Sequence, residues 1–506
     1  MQSAERRHHL WPKVPARFVG AMLAGHSSLG LALAALIYLV ALSGTILVFE
    51  RELSRWEQPE GPVVVEISDE QIADLVSEVY SRAEALEATQ SISVELPTQA
   101  FPRLQARASD FERGIDEHWV ADRDGRLGER QVATPFLDFM KELHFYLFLP
   151  RTIGLTVVGM VGIALLASLF SGVLSHPRLF RDAFTLRWGG SKRLQEADLH
   201  NRLGIWCLPF HLAVTVTGAI LGLSTIILGL LALAAFDGDT GKARSAIAGP
   251  VVAADATRAD LPPVRAVLEQ LRALQPESRI TRVRVLSPGT AGQTLEVRTD
   301  SPEHLQLDER LTFDGRGQRL EAPPRGVGHL IIGAFGAVHF GWFAGIAVKS
   351  AYLVMGLALC VVTAGGVSIW VARRADRGRA VPTWHRVWTA FVWGVPLLLA
   401  TIALFAMTLS SVPLVSLFLG GLCLLVAGGW FAGSVRAVSR ALRAGCACTL
   451  ATLVGLHALR WGGTMEDPMG WALDGVFLLV TAGLIVSLLP RPAAAAPDRA
   501  PNPTAG

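Results

Sequence analysis

The chain has 506 residues, of which 51% belong to the set AVILMFWYC and 18% are charged, with a mean hydropathy of +0.40. Soluble chains carry about 25% charged residues, so a wholly soluble enzyme is excluded and a polytopic membrane protein is expected. The net charge of +3, from 46 Lys and Arg against 43 Asp and Glu, is too near balance to imply a nucleic-acid partner.

Eight apolar runs are long enough to cross about 30 Å of hydrocarbon. They fall at 27–49, 153–174, 203–235, 347–371, 387–409, 414–434, 445–459 and 470–489, the seventh being short. Residues 1–26 form a basic N-terminal stretch, and the first run lacks a small-residue cleavage site, so an uncleaved signal anchor is expected. Basic residues cluster before span one (Arg6, Arg7, Lys13, Arg17), in the 175–202 loop (Arg178, Arg181, Arg187, Lys192, Arg193, Arg202), in the 372–386 loop (Arg373, Arg374, Arg377, Arg379, Arg386) and after span six (Arg436, Arg440, Arg443). All of these lie on one side, which the positive-inside rule makes cytoplasmic, together with both termini. The Pro/Ala-rich tail 490–506 is expected to be disordered.

Two polar segments, 50–150 and 236–345, then lie outside. Each opens with a helical stretch (DEQIADLVSEVYSRAEAL; LPPVRAVLEQLRAL), continues in alternating strands (SISVEL; ITRVRVL, QTLEVRTD) and reaches a hairpin signal (WVADRDGRL; LTFDGRGQRL). They are expected to be two copies of one small α+β module. The five cysteines, Cys207, Cys360, Cys423, Cys446 and Cys448, all sit in or beside apolar runs, so neither module has a disulfide framework.

The spans repeat as well. At a fixed offset of 174, His26, Gly30, Ser43, Gly44 and Ile46 meet His200, Gly204, Thr217, Gly218 and Ile220. LHFYLF around His144 matches VHFGWF around His339 at an offset of 195, and Gly162 and Gly172 match Gly356 and Gly366 at 194. The unit of span, module, span therefore occurs twice as a parallel repeat, with a pseudo-two-fold axis expected along the membrane normal. The remaining spans, within 387–489, form a C-terminal four-helix extension.

A bis-imidazole haem needs two histidines at one depth on neighbouring helices, with an apolar slot between them. The repeat supplies His26 with His200 at the cytoplasmic ends of spans one and three, and His144 with His339 at the outer ends of spans two and four. Gly30, Gly44, Gly204 and Gly218 fit close approach of a partner helix or a flat cofactor. His211, whose counterpart is Ile37, could ligate a haem at another depth, lie between the two, or be a hydrogen-bonded core histidine. His176, His385 and His457 have no repeat partner and fit loop or packing roles, while His8, His9 and His118 lie in polar stretches. With no CxxCH, Walker or GxGxxG motif, any haem is non-covalent b-type, and a flavin or nicotinamide domain is not expected.

The stretches HSSLGLALAALIYLVALSGTILVFERELSRW, LHFYLFLPRTIG, DLHNRLGIWCLPFHLAVTVTGA and VHFGWFAGIAVK, spread over residues 20–375, resemble the PepSY-associated transmembrane family. That resemblance implies PepSY-like periplasmic modules, and relates the chain to bacterial inner-membrane siderophore-iron reductases that carry haem b. It places the family's histidine motifs on His26, His144, His200 and His339, with His211 matching a longer subgroup; the pairing rests on the repeat symmetry. The function it implies is a dihaem electron-transfer protein that takes electrons from a cytoplasmic donor or the quinol pool and reduces a ferric siderophore or other ferric complex. The spans after 380 depart from the short reductase pattern. A haem-free scaffold binding a periplasmic partner through its modules is the alternative. A transporter is disfavoured, because no Asp or Glu lies mid-span in the first four runs.

Overall fold

A computed structural model describes residues 15–110, 112–131, 134–176, 192–248, 255–300, 309–320, 327–343, 345–409 and 412–490. Arg6, Arg7, Lys13, His8, His9, Arg178, Arg181 and Arg187, and the tail from 491, lie outside the described residues.

Helix α1 (Ala16–Leu47) is a single 32-residue helix that leads into a short polar helix, α2 (Glu50–Glu57). Helix α3 (Asp69–Ala85) starts at Ser68, whose hydroxyl accepts from the Gln71 N–H while the Gln71 side chain accepts from the Ser68 N–H, a complete capping box. Strands β1 (Ser91–Glu95), β2 (Leu104–Asp110), β3 (Ile115–Ala121) and β4 (Leu127–Gln131) follow, then α4 (Pro135–Lys141), a π turn over Glu142–Tyr146 and α5 (Arg151–Leu174). The second repeat runs through α6 (Lys192–Trp206), α7 (Leu208–Gly222), α8 (Ser224–Ala235), α9 (Thr240–Ala248), α10 (Val264–Leu274), β5 (Arg279–Leu286), β6 (Thr294–Asp300), β7 (Glu309–Asp314), α11 (Val327–Phe340) and α12 (Gly345–Asp376). Helices α13 (Pro382–Thr408), α14 (Leu414–Phe431), α15 (Val435–Trp461) and α16 (Pro468–Leu488) form the extension.

Among the described residues, seven helices are long and apolar enough to cross a membrane, and α6 with α7 makes an eighth if the pair, bent by 66°, is one span. The protein is thus a multi-pass membrane protein. Two sequence expectations change. The 203–235 run is not one span: it divides at Cys207 and again at Leu223. Pro209, two residues into α7, lacks an N–H and crowds the preceding turn, whereas the equivalent residue in the unbroken α1 is Ala35. The seventh span is not short, since α15 has 27 residues.

The bundle obeys the repeat. Helix α1 packs on α5 and α12, while α7 packs on α5 and α6 on α12, so the equivalents α1 and α6–α7 stand across from each other. The two α+β modules do not remain separate. Strands β1 and β5 pair antiparallel, with Ser93 opposite Arg284, and join both halves into one seven-stranded sheet of order β4-β3-β2-β1-β5-β6-β7. Alternation sends Ile92, Val94, Val283, Val285, Leu295 and Phe313 to a single face, which α3 and α10 cover to make one shared core.

The extension is fixed to repeat one. Helix α16 packs on α2 and α13 packs on α4. Asp467, fully buried, takes a two-pronged ion pair from Arg55 (2.6 and 2.7 Å) and a third contact from Arg103 at 3.1 Å. Asp474 accepts from the Trp56 indole N–H at 2.9 Å and contacts His457 Nδ1 at 2.8 Å. His457 is therefore more than a packing residue: its ring stacks on Trp56 at 4.8 Å and its Nε2 lies 3.1 Å from the Trp56 carbonyl.

Candidate functional site

The four repeat-matched histidines meet in two pairs. The ring centres of His26 and His200 are 6.1 Å apart, and those of His144 and His339 are 6.4 Å apart. The first pair lies toward the end of the bundle remote from the sheet, the second toward the sheet. From His26 to Gly44, against which His144 rests, α1 rises about 27 Å at 1.5 Å per residue.

Each ring is anchored through Nδ1 on a backbone carbonyl of a neighbouring helix. His26 contacts Ser168 O at 2.8 Å and His200 contacts Val362 O at 2.8 Å; Ser168 and Val362 are repeat equivalents. His144 contacts Val40 O at 3.0 Å and His339 contacts Val214 O at 3.1 Å, again equivalents. A carbonyl only accepts, so Nδ1 carries the proton and donates, and the Nε2 lone pair is left for a ligand. Among the described residues no hydrogen bond engages Nε2 of any of the four. Ser43 and Thr217, equivalent hydroxyls, stand 3.2 and 3.1 Å from Nδ1 of His144 and His339.

Glycines seat the rings. A Cβ on Gly44 would lie 2.6 Å from Cε1 of His144, and one on Gly218 would lie 2.7 Å from Cε1 of His339. At the other pair, Cβ atoms on Gly172 and Gly366 would meet Cε1 of His26 and His200 at 3.1 and 3.3 Å. These glycines make room for imidazoles. Gly30 and Gly204, one turn beyond His26 and His200, instead face open space, with nothing within 4 Å of a built Cβ.

Local chain geometry positions the sheet-side pair. Glu57 accepts from the Phe136 and Leu137 N–H groups (2.8 and 2.9 Å) and thereby fixes the start of α4, although burial pushes its carboxyl up to about 7. His144 then falls in a π turn, a helical irregularity frequent at functional sites. The chain leaves this turn through Leu147 and Phe148 at φ of 51° and 60°. Left-handed backbone at such residues costs of order 1–3 kcal/mol each; after His339 a glycine, Gly341, takes the left-handed position at φ 65°. Between His144 and His339 lies a cavity of about 340 Å³, lined largely by apolar residues such as Ile37, Val158 and Leu165, with Lys141 and Arg151 also on its wall. That is within the range of about 300–1,000 Å³ typical of cofactor pockets.

The donor set can be tested against a haem. A metal–imidazole bond is about 2 Å, and adding about 1 Å from each nitrogen to its ring centre puts two trans imidazoles about 6 Å apart. Both pairs have this spacing, a fixed tautomer and a free Nε2, so the residues fit. His211 is different. It is fully buried on α7, its Nε2 lies 3.2 Å from Met355 O, and its Nδ1 and the Thr215 hydroxyl one turn on have no hydrogen-bond partner among the described residues. No other histidine ring contacts it among the described residues, so it stands apart from both pairs. No cluster of three or more metal-ligating side chains occurs among the described residues.

Sequence reasoning missed the ion pairs that brace the site. Lys349 of α12 holds both carboxylate oxygens of Glu52 at 2.6 and 2.7 Å in a buried pair that ties α2 to the bundle. Its signal was a lysine inside an otherwise apolar helix.

Residues 23–373 match the family model described as PepSY-associated TM region. All five histidines of interest lie inside this stretch and the extension lies beyond it. An uncharacterised protein of Pseudomonas aeruginosa is 30% identical over 262 residues, covering 48% of this chain. The match spans 65% of that relative's own length.

Proposed function

Because the chain belongs to the PepSY-associated TM region family and crosses the membrane many times, we propose that it is an inner-membrane protein that binds two b haems and reduces ferric iron, carried by a siderophore or other chelator, on the sheet side. Electrons come from a cytoplasmic donor or the quinol pool, and both termini lie in the cytoplasm. The observation that carries this reading is the matched geometry of the two pairs, 6.1 and 6.4 Å between ring centres with every Nδ1 committed to a carbonyl.

His26 with His200 would hold one haem, and His144 with His339 the other. Haem supplies a one-electron Fe(III)/Fe(II) couple when bound. The chain's part is to hold the four imidazoles in one tautomer, to keep an apolar wall around them, and to set the two sites at opposite ends of the bundle. Reduction suits iron release, because Fe(II) binds hard oxygen donors less tightly than Fe(III).

The test is a dithionite-reduced minus air-oxidised spectrum of protein expressed with ample haem, with haem quantified per chain. A sharp b-type α-band at about two haems per chain is expected. A colourless protein would overturn the reading and leave the haem-free scaffold. Gly44→Ala checks the ring seats: with Cβ at 2.6 Å from His144, it should lower occupancy at the sheet-side pair. Gly366→Ala, at 3.3 Å from His200, should leave occupancy near that of the unaltered protein.

A further inference from the structure

The two repeats differ in chemistry at one depth of the bundle. His26, Gly30, Ile37, Ala41 and Gly44 follow one face of α1 at helical spacing, and their equivalents on α6 and α7 are His200, Gly204, His211, Thr215 and Gly218. Two apolar residues in the middle of this stripe are thus replaced by two polar ones. His211 and Thr215, one turn apart on α7, are 0% and 5% exposed. His211 Nε2 lies 3.2 Å from Met355 O; a carbonyl only accepts, so Nε2 carries the proton and Nδ1 keeps its lone pair. That Nδ1 and the Thr215 hydroxyl have no hydrogen-bond partner among the described residues. Thr45 and Thr217, by contrast, donate to the carbonyls four residues before them at 2.6 and 2.7 Å. Buried polar atoms are nearly always satisfied, and each exception calls for a bound water or a functional reason.

Contacts already described place this polar pair beside the sheet-side site. Thr215 follows Val214, whose carbonyl anchors His339, and it lines the cavity between His144 and His339 together with Ile37 and Ala41. His211 is seven residues, about 10 Å at 1.5 Å per residue, from Gly218, where the His339 ring is seated. The same cavity reaches Glu50 and Lys141, an ion pair whose side chains are each 35% exposed, so water has access to its mouth. The surroundings of His211 are otherwise uncharged. On α12, Tyr352 donates to Val338 O and Lys349 is closed on Glu52. On α7 the neighbouring titratable group is the buried thiol of Cys207, and on α6 Arg202 is paired with Asp198. Helix α11 contributes His339, while α1 and α5 present apolar residues such as Ile37, Val158 and Leu165 to the cavity.

We propose that His211 is the proton acceptor coupled to reduction of the sheet-side site. When one electron enters that site, His211 takes one proton at Nδ1, supplied by water at the cavity mouth and passed along the wall that carries the Thr215 hydroxyl. His211 returns the proton when the electron leaves for the ferric acceptor, which becomes ferrous. The physical reason is charge: an electron added in an apolar interior is costly unless a positive charge joins it, and imidazole is the side chain suited to gain a proton near neutral pH. This role rests on the haem reading above. Linkage is reciprocal, so if reduction favours protonation, protonation favours reduction, and the midpoint potential falls as pH rises.

The full chain in nanodiscs is titrated spectroelectrochemically at a series of pH values around neutrality. The midpoint of the haem that survives in His26→Ala, the sheet-side one, should fall as pH rises, by up to about 59 mV for each tenfold drop in proton concentration. His211→Leu and His211→Gln should keep about two haems per chain and flatten this dependence. Thr215→Val should keep it, because the titrating ring remains, which separates loss of the proton acceptor from mere repacking of the cavity wall. A parent midpoint independent of pH, or a slope unchanged in His211→Leu, overturns the proposal and leaves the haem reading standing. Loss of half the haem in His211→Leu also overturns it, by making His211 a ligand. Colourless parent protein overturns both.

Discussion

Replacing His144 with alanine is expected to remove about half of the haem from the purified protein, and His339→Ala the same half. Each ring in the sheet-side pair offers one Nε2, and the 6.4 Å spacing lets one metal take both. Loss of either nitrogen therefore empties or misligates a single site, so the double variant His144→Ala/His339→Ala should bind no less than either single one. His26→Ala and His200→Ala should instead remove the other half, and combining one change from each pair should leave the protein nearly colourless. His211→Leu should retain about two haems, because His211 Nε2 is directed to Met355 O and no second histidine contacts its ring among the described residues. Haem per chain by pyridine haemochrome, with reduced-minus-oxidised spectra, checks each case. Equal haem in the His144→Ala protein and its parent would sink the pairing, and a half-empty His211→Leu protein would make His211 a ligand.

Much of this site was legible in sequence because duplication repeats a chemical requirement. His26 and His200 share an offset with Gly44 and Gly218, and the structure adds that the same offset relates the carbonyls of Val40 and Val214 that anchor the other histidine pair. Backbone acceptors carry no side-chain signature, so no pattern of residue types could have shown them. The role of Gly44 and Gly218 was misplaced for a similar reason: small residues announce a close approach without saying what approaches. The joining of the two modules was also hidden. Alternation in SISVEL and ITRVRVL fixes which face is buried, but β1 pairs with β5 from the other repeat, Ser93 opposite Arg284, and nothing local selects a partner so remote. The bend in the third span had a local cause in Pro209, overlooked because hydropathy alone carried through it.

The extension was the least legible part, and Asp467 is where its attachment can be measured. Asp467→Ala is expected to destabilise the protein by about 3–5 kcal/mol, the typical cost of removing one partner from a buried ion pair. Burial excludes water from the carboxylate and from both guanidiniums, since Arg55 and Arg103 are 6% and 0% exposed. Without Asp467 both cations stay buried against carbonyls alone: Arg55 keeps Ala100 O, and Arg103 keeps Gln58 O and Arg55 O. Asp467 also accepts from Met469 N at 3.0 Å as the N-cap of α16, a contact worth about 1 kcal/mol. Asp467→Asn should retain the cap but not the charge, and so fall between the alanine variant and the parent. Removing the cations as well, in Arg55→Met/Arg103→Met/Asp467→Ala, should recover part of the loss, because apolar replacement of a whole buried ionic cluster is often near neutral. Equilibrium unfolding in mixed SDS micelles reads all three. A loss below about 1 kcal/mol for Asp467→Ala, the scale of a solvent-exposed pair, would mean that α16 holds to α2 through its apolar contacts and the Trp56–Asp474–His457 contacts, with the buried cluster contributing little to attachment.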